Sequence, residues 1–300
     1  MSQNTTTSSL PLAFFWVTLS YIIAVVAAVG VGYLSQQAGH SLIMMVALAD
    51  LAATLVVFIF SYFFNNSSFY DPYWSLIPIF IVVYLLLIGW DSGANQLRMG
   101  IMASLVTFWG VRLTANWARG WTGLHHQDWR YVDLQNKMGK WYWLVSFSGI
   151  HLFPTVLVFL GCLALFPTFT LPGNEFGWLD ILATLFTLGA ILIEFIADEQ
   201  LKKFVKTNTV KGKTLTTGLW AYSRHPNYFG ETSFWWGLFF FALAARADYW
   251  WVIVGPLFMT FLFYFISIPM IEKRMLAKRP DYAEIMKRIP KWIPWFPKKG

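Results

Sequence analysis

A stretch of ten residues, from 222 to 231, carries the densest set of side chains in this chain that could do chemistry. It reads Tyr222-Ser223-Arg224-His225-Pro226-Asn227-Tyr228-Phe229-Gly230-Glu231 in a sequence that is 57% hydrophobic and only 12% charged. Arg224 can bind a phosphate through two parallel hydrogen bonds, and Asn227 can bind an amide or a base edge. Ionisable groups beside apolar segments are costly to keep, so the decapeptide predicts a site for a polar cofactor. The alternative is an interfacial loop whose polar groups satisfy one another.

The backbone of this decapeptide should not be a continuous helix. Pro226 disfavours helical backbone at His225, and Gly230 allows another segment to approach closely. The sequence therefore predicts a turn or a broken helix just before an apolar segment. Such backbone persists at membrane depth only where protein or a water-filled cavity covers it.

A second polar set precedes the decapeptide. Glu194, Asp198 and Lys202 are spaced four residues apart, which places them on one face of a helix. There they could contact the ribose hydroxyls and phosphates of a cofactor. The alternative is an Asp198–Lys202 ion pair that only stabilises the helix end.

A third set lies on an earlier apolar segment. Arg112, Asn116 and Arg119 share a helical face, and a charged residue within an apolar span usually faces a cavity or a partner. Arg112 could instead extend its charged end to the membrane interface. The adjacent His125 and His126 follow, but neighbouring imidazoles seldom bind one ion, so we predict no metal site.

The fourth set is Tyr70-Asp71-Pro72-Tyr73-Trp74-Ser75, which enters another apolar segment. A carboxyl group held against apolar surroundings can stay protonated and donate a hydrogen bond to a carbonyl oxygen. Asp71 is the first candidate for this role, and Asp50 is a lesser one. The alternative is that Asp71 starts a turn and caps a helix.

These residues must be positioned by membrane helices. The chain has 300 residues, a mean hydropathy of +0.53 and 19% aromatic residues, which excludes an ordinary soluble domain. Apolar runs predict an all-α, polytopic membrane bundle of about eight transmembrane helices, with the cofactor site in the C-terminal half. The predicted spans are 12–35, 42–63, 75–90, 99–116, 143–166, 178–200, 231–246 and 250–269.

Basic residues predict the orientation of this bundle. Lys and Arg cluster in 117–140, in 201–229 and after residue 269, and eight spans with both termini inside place these clusters on one face. We therefore expect a multi-pass protein of the endoplasmic reticulum or a bacterial inner membrane, with its termini and cofactor site cytoplasmic. The net charge of +7 then indicates contact with anionic lipids rather than nucleic acid. Oligomeric state is not predicted.

The organisation we predict is a polar tail over 1–11 and one membrane domain over 12–300. Within that domain, residues 190–300 form the cofactor-binding part. The one cysteine, Cys162, lies within a predicted span and indicates neither a disulfide nor a cysteine-ligated zinc.

Ser223 to Glu231 resembles the cofactor motif of the steroid 5α-reductase superfamily and its sterol C14-reductase relatives. A related Arg-His-Pro-x-Tyr-x-Gly core occurs in isoprenylcysteine and phospholipid methyltransferases. The residue after the glycine is usually acidic in the reductases, as Glu231 is here. The likeness is strongest over 190–300. The segments Asp71 to Trp74 and His126 to Tyr131 are markers of this chain's own branch.

The resemblance implies NADPH as the cofactor and a lipophilic small molecule as the substrate. The reaction would reduce a carbon–carbon double bond conjugated to a carbonyl group, as 3-oxo-5α-steroid 4-dehydrogenases do. Asp71 with Tyr73 would bind the carbonyl oxygen, and Arg112 completes the catalytic set. The cofactor-binding set is Arg119, Glu194, Asp198, Lys202, Tyr222, Arg224, His225, Asn227, Tyr228 and Glu231.

The resemblance leaves a second activity open, S-adenosylmethionine-dependent methylation of a lipid or prenylated substrate. Steroid reductases carry histidines near the C-terminus, where this chain has Met270, Ile271, Glu272 and Lys273. The tyrosine that partners the acid also has three candidates, Tyr70, Tyr73 and Tyr84. Both departures bear on steroid specificity more than on cofactor binding.

Overall fold

The computed structural model describes residues 9–298, and these fold into helices without a strand. The all-α class is therefore confirmed for the described residues. Residues 1–8 of the predicted polar tail lie outside them, and helix α1 begins at Leu10.

Each predicted span falls on helical structure. The helices are α1 Leu10–Gln37, α2 Leu42–Phe63, α3 Tyr73–Gly89, α4 Gln96–Gly120, α5 Trp129–Met138, α6 Tyr142–Val145, α7 Phe153–Cys162, α8 Leu165–Thr170, α9 Trp178–Thr207, α10 Pro226–Ala245, α11 Val254–Phe261, α12 Ile268–Lys278 and α13 Tyr282–Arg288. A 3-10 turn, Ser67–Tyr70, precedes α3, and π-helical segments lie at Ser146–Leu152 and Leu262–Ser267.

Within residues 9–298, six helical stretches are long and apolar enough to cross a membrane, as in multi-pass membrane proteins. They are Leu10–Gln37, Leu42–Phe63, Ser67–Gly89, Trp129–Cys162, Trp178–Thr207 and Ala247–Lys278. Helices α4 and α10, which cover the predicted spans 99–116 and 231–246, are not among these six. The total of about eight spans and the cytoplasmic orientation remain predictions.

The chain divides into two compact units. Unit 1 comprises residues 1–84 and 106–159, and unit 2 comprises residues 85–105 and 160–300. In unit 1, α1 packs along α2, and α4 packs closely against α3 at Gly110. A Cβ atom at Gly110 would collide with the carbonyl oxygen of Ser75, so glycine permits this close approach.

Unit 2 is built on the packing of α10 against α9. Two glycines on one face of α10 let the helices touch: a Cβ at Gly230 would lie 2.7 Å from the Ala190 carbonyl oxygen. A Cβ at Gly237 would collide with the Thr187 side chain. Small residues allow such close helix contacts in membranes, and this contact fixes the start of α10 beside Glu194.

The decapeptide is a broken helix, as the sequence predicts. A 3-10 turn, Gly218–Ala221, precedes it, His225 has non-helical backbone at the N-terminal cap, and Pro226 opens α10. Proline suits this first position because its missing N–H would have no partner inside the helix.

A buried ion pair anchors another end of unit 2. Arg98 on α4 and Asp180 on α9 are each 1% exposed, and two bonds of 2.6 and 2.9 Å join guanidinium to carboxylate. The same guanidinium donates to the carbonyl oxygens of Asn174 and Glu175. Either buried charge would strongly destabilise the fold if its partner were absent, so the two side chains must remain paired.

We expect Arg98→Met to destabilise the protein by about 3–5 kcal/mol, because it leaves the Asp180 carboxylate buried without its cation. The measurement is the thermal unfolding midpoint of purified protein in detergent. Arg246→Met is the control, since the Arg246–Asp248 pair is exposed and exposed pairs contribute little. Equal melting temperatures for Arg98→Met and wild type would show that the buried pair is unimportant.

Candidate functional site

Unit 2 holds a cavity of about 180 Å³ whose wall includes four residues of the decapeptide. These are Arg224, His225, Asn227 and Tyr228, and they face Ile271 and Met275 of α12, Arg279, and Tyr282 of α13. The cavity therefore combines cationic, amide and phenol groups with an apolar wall, which is typical of small-molecule sites.

Glu272 of α12 is the centre of the charged wall. One of its carboxylate oxygens, Oε1, accepts hydrogen bonds from Nε and Nη2 of Arg224 at 2.8 Å each. The same oxygen lies 3.1 Å from Nε2 of His225 and 3.4 Å from the Tyr282 hydroxyl. Arg224, His225 and Glu272 are each at most 9% exposed, so this cluster is screened from water.

Arg224 also holds the C-terminal segment. Its Nη1 donates to the carbonyl oxygens of Met286 and Ile289 at 2.9 and 2.8 Å, and its backbone N–H donates to Pro290. The guanidinium predicted to bind a phosphate is therefore engaged at all three of its nitrogen atoms.

The segment after α13 runs beside the decapeptide. The Ser223 hydroxyl donates to the Trp292 carbonyl oxygen at 2.6 Å, and the Trp295 N–H donates to the Tyr222 carbonyl oxygen at 2.9 Å. The Tyr222 side chain is itself exposed and contacts the Phe296 ring. Tyr222 thus supports the site through its backbone carbonyl oxygen. Its side chain is not part of the cavity wall.

Asn227 is the decapeptide residue best placed for recognition. Its side chain lines the cavity, and its amide nitrogen lies 3.4 Å from Oδ1 of Asp198 on α9. Tyr228 also lines the cavity, with its ring stacked parallel to the His225 ring at 5.8 Å. Asp198 therefore orients a group that the sequence places in the cofactor-binding set.

The other predicted residues of unit 2 lie outside this wall. Glu231 is buried, and its Oε1 accepts from the Trp235 indole at 2.8 Å. Glu194 is buried where α9 meets Gly230. Lys202 donates to Glu199 on its own helix at 3.1 Å.

The two candidate acids of unit 1, Asp71 and Asp50, have separate tyrosine partners. Asp71 accepts from the Tyr131 hydroxyl at 2.8 Å. Tyr73, only 1% exposed, donates instead to Oδ1 of Asp50 at 2.7 Å. Tyr73 therefore contacts the acid that the sequence ranks as the lesser candidate, Asp50.

The turn that holds Asp71 is fixed by the loop after α4. The Asn66 side chain donates to the carbonyl oxygens of Leu124 and His126 at 2.7 and 3.0 Å. The Asp128 N–H donates to the Ser68 hydroxyl at 3.0 Å. The two marker segments singled out in the sequence are thus in contact within unit 1.

The arginines of α4 differ in their surroundings. Arg112 is 5% exposed, as the prediction of a buried charge requires. Arg119 is exposed and bonds to the Asn116 side chain and the Ala115 carbonyl oxygen on its own helix.

Sequence reasoning missed Glu272, Arg279 and Tyr131 as site residues. Glu272 lies 47 residues after His225, so no local spacing connects them. A usable signal was that Met270 to Lys273, which include Glu272, stand where the steroid reductases that the decapeptide resembles carry histidines.

Burial lowers the pKa of His225 from its ordinary value of 6.5, and Arg224 and Lys291 act in the same direction, while Glu272 opposes them. Below about pH 6.5 the unfolded chain binds a proton at His225 that the folded protein does not bind, so the stability of the fold decreases as the pH decreases.

We expect the melting temperature of His225→Asn to decrease less than that of wild type as the pH is lowered below about 6.5. His126→Asn, at an exposed histidine, should keep the wild-type slope; parallel curves for His225→Asn would contradict the expectation.

Comparison with known proteins supports a family assignment. The chain matches the family described as "Protein of unknown function (DUF1295)" over residues 57–289. It is 28% identical over 255 aligned residues to an uncharacterized protein of Schizosaccharomyces pombe, covering 77% of this chain and 73% of that protein. No solved structure matches the chain. This chain, with its cavity at the start of α10, belongs to the DUF1295 family.

Proposed function

We propose that this protein is an integral membrane oxidoreductase that uses NADPH to reduce a carbon–carbon double bond conjugated to a carbonyl group in a lipophilic substrate. Steroid-like, sterol-like and enoyl-lipid-like molecules are the candidate substrates. The observation that carries the proposal is the cavity lined by His225, Asn227 and Tyr228. These are residues of the decapeptide that resembles the reductase cofactor motif.

The cavity and the cleft beside it together have room for an extended cofactor. The cavity of about 180 Å³ shares Thr214 and Ile285 with a neighbouring cleft of about 410 Å³. Small-molecule sites usually occupy about 300–1,000 Å³, so the cavity alone is small. A dinucleotide would extend from the cavity into the cleft.

The cations of the cleft make phosphate binding reasonable there. Lys213 and Arg288 line the cleft, and Arg279 lines the cavity. Because Glu272 and two carbonyl oxygens occupy Arg224, we assign phosphate contact to these three cations instead. Arg224 would then hold the cavity wall in place. The Asn227 side-chain amide, which Asp198 orients, would bind a polar group of the cofactor.

On the substrate side we assign the carbonyl oxygen to Asp50, whose carboxyl group Tyr73 holds in place. Both are buried in unit 1 and hydrogen-bonded to each other. An acid that donates a hydrogen bond to a carbonyl stabilises the negative charge that develops as hydride reaches the β carbon. NADPH would supply that hydride and leave as NADP⁺, and the α carbon would take a proton derived from water.

One observation favours the second activity, methyl transfer from S-adenosylmethionine. Glu272, rather than a histidine, faces the decapeptide and binds Arg224 and His225. A smaller cofactor would also need less of the adjoining cleft. Glu231, acidic as in the reductases, supports the first activity instead.

We expect calorimetry on the detergent-purified protein to show NADPH binding that Asn227→Ala weakens by about tenfold or more, equivalent to roughly 1.4 kcal/mol. The reason is the loss of an amide that faces the cavity. Asn208→Ala is the matched control, because the Asn208 side chain does not line the cavity and bonds to Val210 nearby. Binding of S-adenosylmethionine in place of NADPH would exclude the reductase.

We expect Asp50→Asn and Tyr73→Phe to slow NADPH oxidation with a panel of lipophilic enones by roughly 10²–10⁴-fold, the usual range for a lost proton-donating group. NADPH affinity should be unchanged, since neither residue lies in the cofactor cavity. Asp91→Asn, at an exposed acid, should retain wild-type turnover. Full turnover in Asp50→Asn would remove Asp50 from the reaction.

A further inference from the structure

A chain of hydroxyl groups leads to Asp50 through the interior of unit 1. The Tyr70 hydroxyl lies 2.8 Å from Oγ1 of Thr155, which lies 2.9 Å from Oγ1 of Thr54. Thr54 donates to the Tyr73 hydroxyl at 3.1 Å, and Tyr73 donates to Oδ1 of Asp50 at 2.7 Å. Residues from α2, α3, α7 and the turn before α3 therefore form one hydrogen-bonded chain.

The direction of this chain follows from counting protons. Each hydroxyl has one hydrogen, and Tyr73 uses its hydrogen on Asp50, so Thr54 must donate to Tyr73. Thr54 then has none left for Thr155, so Thr155 donates to Thr54 and Tyr70 donates to Thr155. Every donor points toward Asp50, and aligned bonds of this kind strengthen one another.

The arrangement leaves one atom of Asp50 without a partner. Oδ1 accepts the end of the chain, whereas Oδ2 is buried and makes no hydrogen bond to any described residue. Asp50 is 5% exposed, and no cationic side chain among residues 9–298 pairs with it. An ionised carboxylate alone in such surroundings is very costly, which favours the acid form with its proton on Oδ2.

The surroundings keep water away from the chain. Tyr70, Thr54 and Thr155 are 2%, 0% and 5% exposed, and the Tyr70 and Tyr73 rings stack at 5.0 Å. Thr155 lies three residues after the π-helical segment Ser146–Leu152, in the first turn of α7. Such π-helical segments within helices are frequent at functional sites, because they shift the register of the side chains that follow.

We propose that Tyr70, Thr155 and Thr54 are positioning residues that orient the buried Asp50 through Tyr73, with Oδ2–H of its acid form free to donate to the carbonyl oxygen of a lipophilic substrate. This inference rests on the proposed reductase function and deepens it. The catalytic group remains Asp50, and the three hydroxyls act through it. Removing one of these hydroxyl groups should therefore change the hydrogen bonding of the Asp50 carboxyl group while leaving that group in the protein.

The test is infrared spectroscopy of the full-length protein in detergent, where the carbonyl stretch of a protonated carboxyl group is resolved from that of a carboxylate. The band that Asp50→Asn removes belongs to Asp50. We expect Thr155→Val, which is isosteric but lacks the hydroxyl, to shift this band, and Tyr70→Phe to shift it in the same direction. Thr155→Ser keeps the hydroxyl and should retain the wild-type band.

A lipophilic saturated ketone serves as the probe for substrate contact. It should shift the Asp50 band in wild type and Thr155→Ser, and NADPH turnover with enones should fall in Thr155→Val and recover in Thr155→Ser. Absence of a protonated band at Asp50, or an unchanged band in Thr155→Val, overturns the inference whatever the turnover. Lack of NADPH turnover in a wild type whose band behaves as expected contradicts the reductase function instead.

Discussion

The attachment of the decapeptide to Glu272 is the interaction on which the candidate site depends. Arg224 cannot remain charged and buried at the start of α10 unless an acid and further acceptors surround it, because an isolated buried charge is strongly destabilising. Glu272 supplies the acid, and the segment after α12 supplies the carbonyl oxygens of Met286 and Ile289. One guanidinium thus links α10, α12 and the C-terminal segment, and the cavity lies against this junction.

Unit 1 stabilises a buried ionisable side chain in a different way. There the buried acid, Asp50, has no cation among the described residues and is bound by hydroxyl groups. Neutral partners leave the carboxyl group able to hold a proton, whereas a cation would favour its ionised form. The two units therefore contain two kinds of polar interior: one that stabilises fixed charges and one in which protons can be rearranged.

Much of the fold follows from the sequence because membrane helices obey a simple rule of length and hydropathy. All eight apolar runs lie on helical structure, and the break before α10 follows from Pro226. The sequence also identifies the decapeptide, since seven polar side chains crowd into an apolar chain. These features depend on neighbours in sequence, which is where single-sequence reasoning is strong.

The partners of those residues depend on tertiary contacts and were harder to foresee. Arg224 has the chemistry of a phosphate ligand, but Glu272, far along the chain, occupies it. Tyr73 lies two residues after Asp71 in sequence, yet helix packing brings it to Asp50, 23 residues earlier. Spacing along one helix cannot reveal such choices, because each is made between different helices.

Hydrogen bonds join Tyr222, Ser223 and Arg224 to residues 286–295. This has a consequence for biosynthesis. The ribosome makes α9 and α10 before residue 286, so both helices can form before that residue exists. Until that last portion leaves the exit tunnel, Arg224 lacks the carbonyl oxygens of Met286 and Ile289 that it binds in the folded protein. The wall of the cavity can thus be completed only after the C-terminal segment has been synthesised.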